Sequence, residues 1–300
     1  MPLLVVGSVA LDTIHTRLAT RERVLGGSAV YFSYAASFFT GVHLVGVVGQ
    51  DWPEEYTRLL ESRGINTSGL QVVPDGKTFY WRGKYADNMN DRETLEVHLN
   101  VFAQFQPQLN AEQRRCRYVF LANGSPRIQL ATLEQLESPR LVVADTMDLW
   151  IREEHDLLMA LFRRLDGVVL NDSEARLLTQ EDNLVIAGHR VRSMGPRFVV
   201  IKKGEHGAMY FSERETISLP AFPTPRVVDP TGAGDTFAGG MLGYLAARDA
   251  CDGVELKRAL AYGALVASFT VEDFSLDRLR QIDRGVIEQR MDAYRKMLQL

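Results

Sequence analysis

The segment from Val227 to Ala246, VVDPTGAGDTFAGGMLGYLA, places a turn of small residues at the start of an apolar helix. Pro230 holds the residue before it in an extended conformation and begins the turn. The next four residues, Thr231–Gly234, have side chains too small to keep a ligand away from the backbone. The first N–H groups of a helix lack intrahelical partners and carry the positive end of the helix dipole. The segment therefore predicts an anion-binding site that needs no Lys or Arg.

Asp235 follows this turn and lies in the first turn of the predicted helix. An isolated acid at such a position usually only stabilises the helix. Beside an anion site, however, the carboxylate is placed to act as a general base on an attacking hydroxyl. The chain contains no GxxxxGK[ST] motif, and Phe237 occupies the third glycine position of GxGxxG. These departures argue against a Walker A site and against a dinucleotide oxidoreductase.

Short apolar runs alternate with amphipathic segments, which predicts an α/β fold with a mostly parallel sheet. The predicted strands, each buried on both faces, are Leu3–Val6, Val42–Val48, Tyr118–Ala122, Leu141–Ala144, Gly167–Leu170 and Phe198–Ile201. The predicted helices between them are Ala29–Phe39, Glu54–Ser62, Ile128–Leu136, Ile151–Arg164, Ser173–Leu178 and Leu184–Ser193. The chain after Asp229 is predicted to be almost wholly helical, with helices over Ala233–Ala247 and Leu256–Phe269 and a charged terminal helix.

One insertion, at about residues 69–101, interrupts the alternation. Its sequences TFYWRGKYAD and TLEVHL flank a polar turn, NMNDRE, and predict β hairpins. We expect this insertion to form a small β subdomain that projects from a single domain spanning residues 1–300. A β flap over one edge and a helical layer on one flank would together enclose a cleft.

Composition limits the possible functions. Of 300 residues, 46% are hydrophobic and 24% charged, which excludes a disordered, collagen-like or coiled-coil chain. The net charge of −4 provides no basic excess for a nucleic acid partner. The 2 cysteines and the scattered histidines form neither a disulfide framework nor a zinc site. The start, MPLLVVGSVALD, predicts a first strand, so we expect a cytoplasmic protein with no membrane partner.

The sequence DPTGAGDTFAGG closely resembles the C-terminal motif of the ribokinase-like (PfkB-type) carbohydrate kinases. Gly26-Gly27 resembles the N-terminal diglycine motif of that family, and Asn171–Glu174 resembles its NxxE motif. The β insertion lies where the family carries its lid. The resemblance covers essentially the whole chain, and it implies a three-layer α/β/α sandwich with a mostly parallel central sheet and a small β-sheet lid.

The same resemblance implies ATP-dependent transfer of a phosphoryl group to a primary alcohol of a sugar or sugar-like molecule. Asp235 would be the general base, and the backbone N–H groups of Gly232, Ala233 and Gly234 would form the anion hole. Catalysis of this reaction depends mainly on positioning and on stabilising negative charge. Two alternatives remain open: a nucleoside kinase of the same family, and a regulator that binds a sugar or nucleotide without catalysis.

At the nucleotide end, the resemblance implies that Asn171 and Glu174 organise Mg²⁺, with Glu174 acting directly or through water. From the residues alone, a helix cap is the commoner explanation of NxxE. Lys202 and Gly204 follow a predicted strand at the edge where the nucleotide is expected. We therefore expect Lys202, Gly204 and Thr231 to contribute to nucleotide binding.

At the acceptor end, Asp12 occupies a position where the family has an acid that binds substrate hydroxyls. A carboxylate is a good bidentate acceptor for a diol, and Gly27 would let the substrate approach the backbone. The family pattern has Asn where this chain has Tyr31. That departure leaves a neutral sugar or polyol, a nucleoside and an anionic sugar all open as substrates.

The insertion supplies further candidate residues. Arg82 is placed to bind an anionic substrate, although aromatic residues that alternate along a flap usually form its own small core. Family lids often pair across a two-fold axis, which predicts a homodimer through the lid. The apolar strand faces near Phe79 and Trp81 would be buried in that contact.

Overall fold

The computed structural model describes residues 2–251 and 253–299. The strands in chain order are β1 (Leu3–Val6), β2 (Ala10–His15), β3 (Thr20–Gly26), β4 (Val42–Gly49), β5 (Ile65–Val73), β6 (Phe79–Tyr85), β7 (Arg92–His98), β8 (Tyr118–Leu121), β9 (Leu141–Asp145), β10 (Gly167–Asn171), β11 (Phe198–Lys202), β12 (Ala208–Ser212) and β13 (Thr216–Leu219). The helices are α1 (Ser28–Ala36), α2 (Glu54–Glu61), α3 (Ala111–Arg114), α4 (Pro126–Leu133), α5 (Asp148–Glu153), α6 (His155–Phe162), α7 (Asp172–Thr179), α8 (Leu184–Ser193), α9 (Ala233–Arg248), α10 (Gly253–Thr270) and α11 (Arg284–Leu298).

Nine strands form one large sheet in the order β13-β12-β11-β10-β9-β8-β1-β4-β5. Its strands are parallel except β12 and β13, which pair antiparallel at one edge. The mostly parallel sheet is therefore confirmed, and each of the six predicted strands ends within one residue of an observed strand. Parallel pairing brings the carboxyl ends of β9, β10 and β11 side by side, with Asn171 opposite Lys202.

Helices cover both faces of this sheet because successive strand residues point to opposite sides. In β1, for example, Leu3 and Val5 belong to one core cluster and Leu4 and Val6 to another. Helices α1, α9, α10 and α11 pack into the first cluster, and α4–α8 pack into the second. The expected three layers follow from this arrangement. Within the described residues, every helix is too short or too polar to cross a bilayer.

One predicted helix is divided. The segment Ile151–Arg164 was predicted as a single helix, but the structure has α5 and α6 with a break at Glu154. Glu154 has φ −127° and ψ 37°, outside the helical region. Its carboxylate accepts a hydrogen bond from Ser125 Oγ at 2.7 Å, which gives this residue a tertiary contact that helical periodicity does not reveal.

The small sheet, which we call the lid, has the strand order β3-β2-β6-β7. The prediction of a lid at about residues 69–101 needs two corrections. Residues 69–73 belong to β5, which pairs with β4 at the edge of the large sheet. Half of the lid comes from β2 and β3, close to the N-terminus. Period-two alternation predicts a strand, but it does not specify which sheet the strand joins.

Candidate active site

Helix α9 begins at a turn that only glycine fits. Gly232 caps the helix with φ 75°, and a Cβ atom there would lie 2.3 Å from Cγ of the Tyr31 ring. Ala233 donates its N–H to the Pro230 carbonyl at 3.2 Å. For the N–H groups of Gly232 and Gly234, no acceptor occurs in the described part of the chain. The turn thus presents two available N–H groups, whereas the sequence suggested three.

Asp235 lies next to these N–H groups in the first turn of α9. Burial, together with the charge of the nearby Asp145, raises the pKa of its carboxyl group from 3.8 to about 7. Lys202 and Arg92 oppose this shift because their positive charges favour the carboxylate. A carboxyl group with a pKa near neutrality is suited to accept a proton from an alcohol.

Lys202 lies directly beneath the turn. A Cβ atom at Gly234 would be 2.8 Å from Lys202 Nζ, and Nζ pairs with Asp145 Oδ2 at 3.5 Å, with both side chains largely buried. Burial disfavours the ammonium, but Asp145, Glu174 and Asp235 hold the pKa of Lys202 above its ordinary value. Lys202 therefore stays positively charged beside the N–H groups.

Asp145 was missed by the sequence analysis. It is the last residue of β9, beside the ends of β10 and β11. The available signal was its position: an acid directly after the predicted strand Leu141–Ala144, at the same sheet edge as Asn171 and Lys202.

Asn171 and Glu174 form a reciprocal cap at the start of α7. Asn171 N–H donates to Glu174 Oε2 at 2.7 Å, and Glu174 N–H donates to Asn171 Oδ1 at 2.8 Å. Burial raises the pKa of Glu174 to about 8, and Asp145 adds to this effect. The helix cap, the commoner explanation of NxxE, is thus present, and the same arrangement fixes a carboxyl group near Lys202.

Two predicted nucleotide-binding residues lie close to the lid. Thr231 Oγ1 donates to the Tyr85 hydroxyl of the lid at 3.1 Å. Gly204 has φ 53° and lies in a 3₁₀ turn directly after β11.

On the acceptor side, Asp12 lies inside strand β2 rather than in a turn, and it is buried. A Cβ atom at Gly26 would be 2.0 Å from Asp12 Oδ2, so the first glycine makes room for this carboxyl group. Burial and Asp229 raise the pKa of Asp12 to about 8, while a hydrogen bond from Gly27 N–H lowers it. At Gly27 the missing side chain would meet the Ser8 carbonyl at 2.5 Å, so this position faces backbone and supports Asp12.

Tyr31 is 1% exposed, and its hydroxyl has no hydrogen-bond partner among the described residues. Burial raises the pKa of this hydroxyl, and Asp229, Asp12 and Asp235 raise it further. The group is a buried donor close to carboxylates from both sides of the site. Buried polar groups are normally satisfied, so this hydroxyl is a candidate ligand contact.

Arg92, rather than Arg82, lies on the inner face of the lid. Arg92 pairs in register with Tyr85, and its guanidinium lies 5.5 Å from the centre of the Trp81 ring. Its charge lowers the pKa values of Asp12, Glu174 and Asp235. The signal available in the sequence was the alternation of side chains along the two strands of the hairpin. Arg92 lies opposite Tyr85, so the two side chains belong to the same face of the lid.

Arg82 lies on the other face of the lid, where its Nε donates to His15 Nε2 at 3.0 Å. The structure therefore does not bring Arg82 to the carboxyl groups of Asp12, Glu174 and Asp235. The apolar side chains expected at a dimer contact are also directed into the protein. Phe79 stacks on Phe102 at 5.7 Å, and Trp81 packs against the cluster beneath the lid.

Comparison with known proteins gives consistent matches. A model of the pfkB family carbohydrate kinases matches residues 3–279. The cytidine kinase of Thermococcus kodakarensis is 31% identical over 269 residues, which cover 86% of this chain and 95% of that protein. The structure of Burkholderia thailandensis nucleoside kinase in complex with ADP-inosine matches with a TM-score of 0.80 at 20% identity, covering 97% of this chain and 95% of that one. A putative ribokinase II from E. coli in complex with ATP and Mg²⁺ matches with a TM-score of 0.78 at 17% identity, covering 97% and 99%.

These matches confirm the predicted ribokinase-like fold and the kinase class of the chain. The resemblance carried by Gly26-Gly27, Asn171–Glu174 and the segment around Asp235 thus extends over nearly the whole sequence. The chain belongs to the pfkB family of carbohydrate kinases.

Proposed function

We propose that this protein transfers the γ-phosphoryl group of ATP to a primary hydroxyl group of a nucleoside. The observation that carries the proposal is the half-buried Asp235 carboxyl group beside the N–H groups of Gly232 and Gly234, which have no acceptor among the described residues. The names of the relatives, cytidine kinase and nucleoside kinase, support a nucleoside as acceptor over a free sugar. A sugar or polyol remains the second candidate because Asp12 suits any vicinal diol.

In this proposal Asp235 accepts the proton of the acceptor hydroxyl while the alcohol oxygen attacks the phosphorus. The Lys202 ammonium lies beside the two N–H groups, and together they would stabilise the negative charge that develops on the phosphoryl oxygens. Donors fixed in this way need no reorganisation during the reaction, which is the main source of electrostatic catalysis.

Arg92 approaches the same region from the lid. Its charge acts on Asp12 at the acceptor end, on Glu174 at the nucleotide end and on Asp235 between them. A guanidinium with influence on all three carboxyl groups is suited to neutralise the phosphates once the lid is closed.

The acid residues also fit a magnesium ion. Mg²⁺ is usually bound by one or two carboxylates together with substrate phosphates and water. Glu174 and Asp145 supply such a pair at the sheet edge, and among the described residues no cluster of three acids, histidines or cysteines forms a closed metal cage. When bound, Mg²⁺ would neutralise charge on the phosphates, and these two carboxyl groups would hold it directly or through water.

The test is an assay of ADP release with ATP and Mg²⁺ over a panel of nucleosides, free sugars and polyols. We expect turnover with at least one nucleoside at a higher kcat/KM than with any free sugar. Asp235→Asn should fold and bind ATP but lose about 10²–10⁴-fold in kcat, the usual contribution of general base catalysis.

Three outcomes would contradict parts of the proposal. Near-wild-type turnover of Asp235→Asn would refute the assignment of the base. A higher kcat/KM with a free sugar would replace the nucleoside by the second candidate. Stabilisation by a nucleoside in thermal-shift measurements, without ADP release from any acceptor, would favour a binding protein without catalysis.

A further inference from the structure

The tip of the lid is an ordered turn between β6 and β7. Asn88 Oδ1 accepts hydrogen bonds from the N–H groups of Asn90 at 3.0 Å and Asp91 at 3.1 Å. Asn88 Nδ2 in turn donates to Asp91 Oδ2 at 2.8 Å. Met89 lies between them with φ 59°. These local bonds fix the direction in which the side chains of the tip point.

Two residues of this tip contact the rest of the molecule. Met89 is only 5% exposed, although it lies at the end of a hairpin, and it packs in the cluster that contains Val228 and Phe274. Asn90 donates from Nδ2 to Glu205 Oε1 at 2.9 Å. Glu205 lies in the 3₁₀ turn after β11, whose last residue is Lys202.

The lid is therefore held on both sides of the proposed reaction centre. Tyr85 meets Thr231 at the start of the anion-binding turn, and Asn90 meets Glu205 beyond Lys202 at the nucleotide edge. The Asn90 Oδ1 atom also lies against Gly204, where a Cβ atom would be 3.6 Å away. Arg92 is the first residue of β7 and follows Asn90 by two residues, so the Asn90 contact also anchors the start of the strand that carries Arg92.

We propose that Asn90 and Glu205 form a latch that holds the lid closed while the phosphoryl group is transferred. Both are positioning residues, because they act through the lid and through Arg92. A closed lid keeps water away from the phosphorus of the γ-phosphoryl group. Water then cannot compete with the acceptor alcohol and hydrolyse ATP. The proposal rests on the kinase function proposed above.

Loss of the latch has a defined chemical consequence. Water then replaces the acceptor alcohol: its oxygen forms the bond to phosphorus, the bond from phosphorus to the ADP oxygen breaks, and its proton passes to the Asp235 carboxylate. The products are ADP and inorganic phosphate. The ratio of inorganic phosphate to phosphorylated acceptor therefore measures how often the lid fails to exclude water during turnover.

The test compares the wild-type chain with Asn90→Ala, Glu205→Ala and the double variant. Each single change should raise that ratio by about three- to tenfold, the scale of one typical net hydrogen bond. The double variant should add little to either single change, because both remove the same contact. Asn90→Asp places a second carboxylate against Glu205 and should raise the ratio more than Asn90→Ala does. Glu205→Gln keeps an acceptor oxygen for Asn90, so its ratio should remain close to that of the wild type.

Asp87→Ala is the matched control, since Asp87 is an exposed residue of the same turn. Hydrogen exchange in the ligand-free protein gives a readout that needs no turnover. Amides of residues 86–91 should lose protection in Asn90→Ala and Glu205→Ala but not in Asp87→Ala. Unchanged protection, or effects that add fully in the double variant, would overturn the latch. Lost protection in a protein that phosphorylates no acceptor would support the latch and refute the kinase function separately.

Discussion

The ring of Tyr31 packs against Gly232, where a Cβ atom would lie 2.3 Å from Cγ of the tyrosine. This contact places a buried hydroxyl, for which residues 2–251 and 253–299 offer no hydrogen-bond partner, close to both Asp12 and Asp235. The tyrosine that departs from the family pattern therefore packs against the turn at the start of α9, and in the proposed function its hydroxyl faces the acceptor. Its ring and its hydroxyl have separable roles.

Tyr31→Phe tests this separation, because it keeps the ring and removes only the hydroxyl. A buried, unsatisfied polar group costs about 1–3 kcal/mol, so the free energy of unfolding should stay unchanged or rise by up to that amount. The kcat/KM for the acceptor should fall about tenfold, as expected for the loss of one hydrogen bond to substrate. Denaturant unfolding and steady-state kinetics measure the two effects. Reduced stability with unchanged kinetics would show that the hydroxyl has a structural partner instead.

Gly232 and Gly234 should respond differently to alanine. At Gly232 the positive φ of 75° and the Tyr31 ring both oppose a side chain, so Gly232→Ala should destabilise the fold by about 1–3 kcal/mol. At Gly234 the added Cβ would meet the flexible end of Lys202. Gly234→Ala should therefore fold with nearly normal stability but lose turnover, because the ammonium is displaced. Thermal unfolding and kcat of the two variants check this, and equal losses of stability would contradict it.

The proposed roles of Asp235 and Arg92 predict a pH profile. Activity requires the Asp235 carboxylate, whose pKa is raised by burial to about 7, so kcat/KM should rise with pH and level off above neutrality. Arg92 lowers that pKa, so Arg92→Gln should move the rise to higher pH and also reduce kcat. Lys84→Gln removes a charge from the exposed side of the same hairpin and should leave the profile in place. A profile of Arg92→Gln that superimposes on wild type would contradict the position of its guanidinium.

The strands and the motif turn could be predicted from sequence because their signals are local. Buried parallel strands are continuous apolar runs, and the turn before Asp235 is specified by small residues. The lid was only half predicted, because β2 and β3 follow β1 directly and no pattern shows that β2 pairs with β6. Lys202 and Asp145 illustrate the same limit: each ends a strand, but only the strand order makes them an ion pair.

Buried carboxyl groups predict how stability depends on pH. Burial raises the pKa of Asp12 from 3.8 to about 8, so between these values the folded state keeps a proton that the unfolded state has lost. Folded chains then bind more protons, and the free energy of unfolding must fall as pH rises. The contribution is complete below the unfolded pKa and is lost as pH rises through about 8. Asp12→Asn removes this dependence.

The Tm of the ligand-free wild-type protein should therefore fall between pH 5 and pH 9, and that of Asp12→Asn should fall less. The difference in Tm between the two proteins should be largest near the upper end of the range. There the carboxyl group of the folded wild-type protein has lost its proton, whereas the variant carries no charge at this position. Asp235→Asn should flatten the curve in the same direction but at lower pH, since the pKa of Asp235 is about 7 rather than about 8. Scanning calorimetry at several pH values measures these curves. Parallel curves for wild type and Asp12→Asn would mean that Asp12 is already ionised in the folded protein, and its carboxylate would then bind the acceptor only as a hydrogen-bond acceptor.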